Sequence, residues 1–218
     1  MDKTIYDFTF CAINLGIQPS TIRQMLEEVR NVDLEHWYND TFRGCEILPL
    51  FNGGGTTGSP PEGVLRSNGE MIITPAGEKC PVIMNIAKNH IFDFMNPVGR
   101  MSVLKTKKNQ GLNIHIDSNQ KSIGTTQHKF RIVLNGDIDK LFFLDQNNEK
   151  VYVPKNYNTY VLDGTHPHSI DGCVDKITIC IGAPWSVYYT EKYKKLMESS
   201  PIKMKVSRPE FKQEWECR

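Results

Sequence analysis

RMSVLKT (residues 100–106), LNIHID (112–117), HKFRIVLNG (128–136), KLFFLD (140–145), KVYVP (150–154), TYVLDG (159–164) and KITICIG (176–182) succeed one another along the second half of the chain. Each segment is short and most alternate apolar with polar residues. Turn formers separate them: Asn135-Gly136-Asp137, Gln146-Asn147-Asn148, Asp163-Gly164 and Asp171-Gly172. Short strands at intervals of roughly 10–15 residues predict an all-β sandwich or barrel rather than strands alternating with helices. The barrel core is expected over residues 98–184.

Outward from that core the pattern changes. Residues 4–15 read as a strand entry, with Ile5, Phe8 and Phe10 in partial alternation. Pro19-Ser20-Thr21 opens a helix, with Ser20 or Thr21 as the expected cap and Ile22, Met25, Leu26 and Val29 at helical spacing. Trp37, Tyr38 and Phe42 lead through a turn into a strand, CEILPLF (45–51). Residues 52–63, NGGGTTGSPPEG, form a flexible loop that is either a tolerated insertion or a lid over a site. Val82, Ile83, Ile86, His90, Ile91 and Phe94 lie on one helical stripe, stopped by Asn96-Pro97. Residues 186–199 return to helical spacing, and the last twenty are polar and expected at the periphery. The plan is a single domain, 1–218: a buttress of helices and strand over 1–97, the barrel, then a C-terminal helix and tail over 185–218. One hydrophobic core is expected.

Composition narrows the function classes. Twenty-six Lys and Arg against 25 Asp and Glu give a formal charge of +1, which supplies no electrostatic footprint for nucleic acid or an anionic membrane. The longest apolar runs are like Ile177–Ala183, too short to span a bilayer. MDKTIYDFTF lacks the apolar stretch of a secretory signal. Cys11, Cys45, Cys80, Cys173, Cys180 and Cys217 are scattered without a CxxC, which fits reduced thiols in a cytoplasmic protein.

Two pieces carry chemistry. If Leu112–Asp117 is a strand, its alternation sends Leu112, Ile114 and Ile116 to one face and Asn113, His115 and Asp117 to the other. Side chains two apart on one face sit about 6.6 Å apart at Cα, close enough to converge on one ion. The second piece is Asp163-Gly164-Thr165-His166-Pro167-His168-Ser169, between two predicted strands. A His-x-Asp pair with a His some fifty residues later is the ligand set of the facial triad that holds non-haem Fe(II) and leaves positions open. His115, Asp117 and His168 are the candidate ligands, with His166 competing for the third place.

The run from His115 through HKFRIVLNGD and VYVPKNYNTYVLDGTHPHSIDG to KITICIG resembles the double-stranded β-helix of Fe(II)/2-oxoglutarate-dependent oxygenases. Its pattern is similar to the aspartyl/asparaginyl β-hydroxylase-like branch, which includes free-proline hydroxylases. Phe130-Arg131-Ile132-Val133-Leu134 matches that branch's Arg-bearing strand, and Leu162-Asp163 with Pro167-His168-Ser169 matches its distal turn. The resemblance covers residues 98–184, with weaker echoes at Trp37 and Phe42-Arg43. It implies a jelly-roll, cupin-like barrel that uses Fe(II), 2-oxoglutarate and O2 to hydroxylate an unactivated C–H of an amino acid or a peptide or protein side chain. His115, Asp117 and His168 would then be the iron ligands, His168 being favoured over His166 because it falls in the Pro-His-Ser match.

One departure matters. The family places an Arg about ten residues after the distal His to hold the far carboxylate of 2-oxoglutarate, and here the strand reads Asp175-Lys176-Ile177-Thr178-Ile179. With Ile177 and Ile179 packed on one side, Lys176 and Thr178 are expected to face the barrel interior. Lys176 could meet the carboxylate as a point charge, with Arg131 as rival anchor or as a contact for a substrate carboxylate. Asn113, Arg100 and Ser102 complete the candidate lining. Two other readings stand beside this one: a cupin-like metalloenzyme without 2-oxoglutarate, and a non-enzymatic β-barrel binding module. A cupin would place a Glu shortly after His166-Pro167-His168, and the next acid is Asp171.

Overall fold

The structure is a computed structural model, and it describes residues 7–51, 73–96, 100–107, 109–117, 128–155, 157–172, 175–182 and 188–216. The Gly-rich stretch 52–63, residues 4–6, Cys173 and Cys217 lie outside these.

The strands are β1 (Phe10–Ala12), β2 (Tyr38–Asp40), β3 (Cys45–Phe51), β4 (Met95–Asn96), β5 (Arg100–Thr106), β6 (His128–Asn135), β7 (Leu141–Leu144), β8 (Lys150–Tyr152), β9 (Thr159–Asp163), β10 (His168–Ile170), β11 (Ile177–Gly182), β12 (Tyr188–Tyr189) and β13 (Lys203–Met204). Eight of them form one antiparallel sheet in the order β13-β1-β9-β6-β11-β5-β3-β2. A second sheet has the order β10-β7-β8, and β12 pairs with β4. The two main sheets face each other, and the order jumps between sequence-distant strands, as a double-stranded β-helix requires.

Both faces of the large sheet are buried, for different reasons. Phe130, Ile132 and Leu134 of β6, Ile177, Ile179 and Ile181 of β11, and Met101 and Val103 of β5 pack outward under the helices. The helices are α1 (Pro19–Arg30), α2 (Pro75–Glu78), α3 (Pro81–His90) and α4 (Glu191–Glu198), and α1, α3 and α4 supply the cover through Met25, Val29, Ile83, Ile86, Tyr193 and Met197. On the opposite face Phe10, Val133, Tyr160 and Leu162 meet Leu141 and Phe143 of the small sheet. Two cores, with a smaller third cluster around Trp215, therefore replace the single one expected, because a sheet covered on both faces divides its apolar residues between them.

The helices begin where proline or a side-chain cap dictates. Pro19 occupies the first turn of α1 and Gln18 becomes the N-cap, with no side-chain bond, so Ser20 and Thr21 lie inside the helix instead of capping it. Glu28 of α1 accepts from the backbone N–H groups of Val82 and Ile83, satisfying the open start of α3 with a carboxylate. That helix ends at His90, short of Asn96-Pro97, and a 3₁₀ turn over Phe92–Phe94 follows. Thr190 caps α4 through Tyr193 N–H at 3.3 Å.

The tail is not peripheral. Its β13 residues pair with β1, and Trp215 is 3% exposed, packed with Ile116, Phe142 and Leu144. The polar composition concealed a few anchoring positions spaced too irregularly to show a period.

Candidate metal centre

Leu112–Asp117 is not a full ladder strand. It joins the edge of the small sheet through a His115–His168 bridge, with His115 N–H donating to His168 O at 3.1 Å and His168 N–H to His115 O at 3.0 Å. Leu112 N–H reaches Ile170 O, and Asp117 N–H reaches Gly164 O at 2.7 Å. A Cβ on Gly164 would lie 3.1 Å from Asp117 Cβ, so a larger residue there would press Asp117 back by a few tenths of an ångström. The alternation breaks at Asn113. Its N–H bonds Arg43 O, its side-chain amide donates to Phe42 O, and it is exposed and outside the cavity lining. Leu112, expected on the opposite face from His115, lines the cavity with it.

His115, Asp117 and His168 each offer a ligand atom, and these atoms lie within 4.8 Å of one another. Asp117 Oδ1 is 3.7 Å from His115 Nε2, and Oδ2 is 3.8 Å from His168 Nε2. Both imidazoles are oriented from behind. His115 Nδ1 bonds Asn113 O and His168 Nδ1 bonds His166 O, each at 2.8 Å. A carbonyl only accepts, so each Nδ1 carries the proton and each Nε2 turns a lone pair toward Asp117. Burial, then the neighbouring His168 and Arg43, push the His115 pKa down to about 3. Burial also lowers that of His168. Both rings are therefore neutral, as metal ligation needs. Burial opposes ionisation of Asp117, but the Arg131 guanidinium, with Arg43 behind it, outweighs it and holds the carboxyl well below its usual range.

Arg131 donates from Nη2 to Asp117 Oδ2 at 2.7 Å. Arg43, ion-paired with buried Asp40, stands 3.7 Å from Asp117 Oδ1. Arg131 is thus an orienting partner of Asp117 as well as a cavity wall, which motif matching does not reveal. Arg43 was visible only as part of a weak echo, since its link to Asp117 is long-range. His166 turns away: its Nε2 bonds Leu144 O at 2.7 Å and its ring meets Phe143 edge-on.

A cavity opens beside the triad, between the two sheets. His115, His168, Arg131, Thr106, Tyr160, Lys176, Thr178 and Cys180 line it, with Leu104, Leu112, Leu141, Leu162 and Ile170. Lys176 is 1% exposed. It faces inward because the chain bends just before it: Asp175 has φ +34°, and Asn135 Nδ2 bonds Asp175 O at 2.7 Å. Gly136, at φ +89°, packs so closely that a Cβ there would lie 2.8 Å from Lys176 Cα. Thr178 Oγ1 is buried with no hydrogen-bond partner among the described residues. Ser102 is half-buried opposite Cys180 and outside this lining, and the Arg100 side chain lies outside the described parts.

No family model matches the sequence, and no curated protein matches it. Solved structures do match in fold. A Trichoplax adhaerens prolyl hydroxylase in complex with a hypoxia-inducible-factor peptide fragment shares 15% identity over 89% of each chain, with a TM-score of 0.53. A Burkholderia pseudomallei oxidoreductase of the 2OG-Fe(II) oxygenase family shares 9% identity over 95% of this chain and 90% of that one, also at 0.53. HygX from Streptomyces hygroscopicus, with nickel and 2-oxoglutarate bound, shares 11% over 85% and 88%, at 0.52. At these identities the likeness is one of fold. The chain has the double-stranded β-helix of the Fe(II)/2-oxoglutarate oxygenases. No helix among the described residues is long and apolar enough to cross a membrane.

Proposed function

We propose that the protein is an Fe(II)/2-oxoglutarate-dependent dioxygenase that hydroxylates an unactivated C–H of an amino acid or a peptidyl side chain. One observation carries the reading: His115, Asp117 and His168 converge within 4.8 Å at a cavity that also holds a buried lysine. The donor chemistry fits iron, since two neutral imidazoles and one carboxylate form a facial set with open positions. The buried Thr178 hydroxyl and the Lys176 ammonium fit a carboxylate at the cavity's far end.

His115 and His168 would present Nε2, and Asp117 a carboxylate kept ionised by Arg131 and Arg43. Iron with bound 2-oxoglutarate supplies the oxidising chemistry, in which O2 and the 2-oxo acid give succinate and CO2 while a substrate C–H becomes C–OH. Lys176 would hold the far carboxylate as a point charge, with Thr178 donating beside it. Arg131 is the weaker anchor because its guanidinium already serves Asp117. Leu104, Leu112, Leu141 and Leu162 keep the wall apolar and exclude water. The cavity volume is about 30 Å³.

The substrate class rests on the motif match to the aspartyl/asparaginyl β-hydroxylase-like branch, and the peptide held by the Trichoplax neighbour keeps peptidyl side chains within it. Anaerobic addition of Fe(II) and 2-oxoglutarate should produce a weak visible charge-transfer band that His168→Ala abolishes and His166→Ala leaves in place. Metal uptake without such a band would favour a metal-binding barrel that does not use 2-oxoglutarate. A His115→Ala, Asp117→Ala double variant that binds metal as the parent does would sink the reading altogether.

A further inference from the structure

The turn from Asp163 to His166 sets the orientation of His168. Asp163 Oδ1 accepts from Thr165 N–H at 2.9 Å and from Thr165 Oγ1 at 2.7 Å, and His166 N–H donates to Asp163 O at 3.2 Å. The His166 carbonyl that this turn presents is the one that accepts from His168 Nδ1. A single residue of the C-terminal tail grips the turn from outside. Arg208 donates to Thr165 O, to Thr165 Oγ1 at 2.9 Å and to Asp163 Oδ2 at 2.8 Å. A planar guanidinium spans three acceptors in a fixed arrangement, which a lysine cannot do.

The same tail reaches the other half of the triad. Ile116, between His115 and Asp117, donates its N–H to Trp215 O at 2.8 Å. Arg208, Pro209 and Phe211 wall a small cavity together with Ile116, Thr165 and Pro167. Both triad-bearing segments are therefore tied to one short stretch of tail, from Arg208 to Trp215. Arg208 is also only partly exposed, its side chain at 27% and Asp163 at 17%.

We propose that Arg208 is a positioning residue. It fixes the Asp163–His166 turn so that the His166 carbonyl holds the His168 ring with Nε2 toward Asp117, and so it sets the metal affinity of the site. The affinity half rests on the metal reading given above. The orientation half rests on the hydrogen-bond chain from Arg208 to His168.

Two measurements separate these halves. ¹⁵N imidazole spectra of the metal-free chain report the His168 tautomer, and Co(II) titration reports affinity. Arg208→Met should lower Co(II) affinity about 10–100-fold, the usual cost of losing a partner behind a ligand, and should mix the His168 tautomers. Arg208→Lys should recover part of both, because an ammonium meets one or two of the three acceptors. His168→Ala marks the effect of losing the ligand outright. An Arg208→Met chain with parental affinity and a pure Nδ1–H His168 would overturn the proposal. Should that variant fail to fold, Thr165→Val removes one acceptor of Arg208 together with the Thr165 hydroxyl bond to Asp163 Oδ1, and an unchanged tautomer and affinity there overturn it equally. A parent chain that takes up no Co(II) defeats the metal reading, and the tautomer comparison then decides the role of Arg208 by itself.

Discussion

The two faces of β6 are both buried, yet they differ in kind. Toward the helices it presents Phe130, Ile132 and Leu134, and on the opposite face Lys129, Arg131 and Val133, of which Arg131 lines the cavity. Strand β11 repeats the contrast, with Ile177, Ile179 and Ile181 outward and Thr178 and Cys180 inward, continuing Lys176. An alternating strand ordinarily sends its polar residues to water. Here that face is closed by a second sheet, so every polar side chain on it carries a desolvation cost that a partner or a ligand must offset. Both faces pack apolar residues, and the inward one alone carries the polar groups of the site.

If that division is right, substitutions on the two faces should fail differently. Phe130→Ala should cost about 3–5 kcal/mol of folding stability, as large-to-small core changes do. Chemical denaturation measures it, and the folded fraction should keep parental metal affinity. Loss of metal affinity in chains that remain folded would break the comparison. Next comes Arg131→Met, which leaves Asp117 buried without its closest guanidinium. Removing one partner of a buried pair costs about 3–5 kcal/mol, and Arg43 at 3.7 Å places the result at the lower end. A divalent ion at one hundred times its Kd adds about 2.7 kcal/mol to either variant, so the contrast lies in the Kd itself: Phe130→Ala should keep the parental value, and Arg131→Met, which deprives Asp117 of its orienting partner, should not.

The same contrast explains what could be read from sequence. The strands at 128–136 and 176–182 were legible because apolar residues recur there at every second position whichever face is functional, and those at 140–145 and 159–164 because each is a short apolar run bounded by turn formers. The inward aim of Lys176 and Thr178 followed from the packing of Ile177 and Ile179. Asn113 was misplaced because its segment is held by isolated bridges and by the Phe42-Arg43 loop, contacts made about seventy residues away in sequence. The grip of Arg208 and the burial of Trp215 left no periodic trace, since each is a single anchor in an otherwise extended tail. Local alternation reveals faces, and it cannot reveal which distant loop braces them.

Lys176→Met sharpens the comparison within the cavity face. The methionine keeps much of the buried stem, so stability should change little, while the 2-oxoglutarate Kd should rise about tenfold or more, equivalent to about 1.4 kcal/mol. Metal affinity should hold, because Lys176 supplies no ligand atom to the triad. A fall in 2-oxoglutarate affinity with Arg131→Met larger than with Lys176→Met would transfer the anchor to Arg131.

The smallest effect is expected on the surface, and it serves as the control for the other two faces. Lys105 pairs with Glu46 at 2.9 Å across β5 and β3, and its ammonium lies 5.4 Å from the centre of the Trp37 ring. Both charged side chains are about one-third exposed, at 38% and 33%. Water and salt screen such a pair, so Lys105→Ala should cost about 0.2–1 kcal/mol. That loss should shrink as ionic strength rises, because exposed charges are screened within about 10 Å at 0.1 M salt. The Arg131→Met loss should respond far less to salt, since its charges are shielded from solvent by both sheets. A salt dependence as strong at Arg131 as at Lys105 would mean the cavity face is open to solvent, and the contrast between the two buried faces would fail at its chemical side.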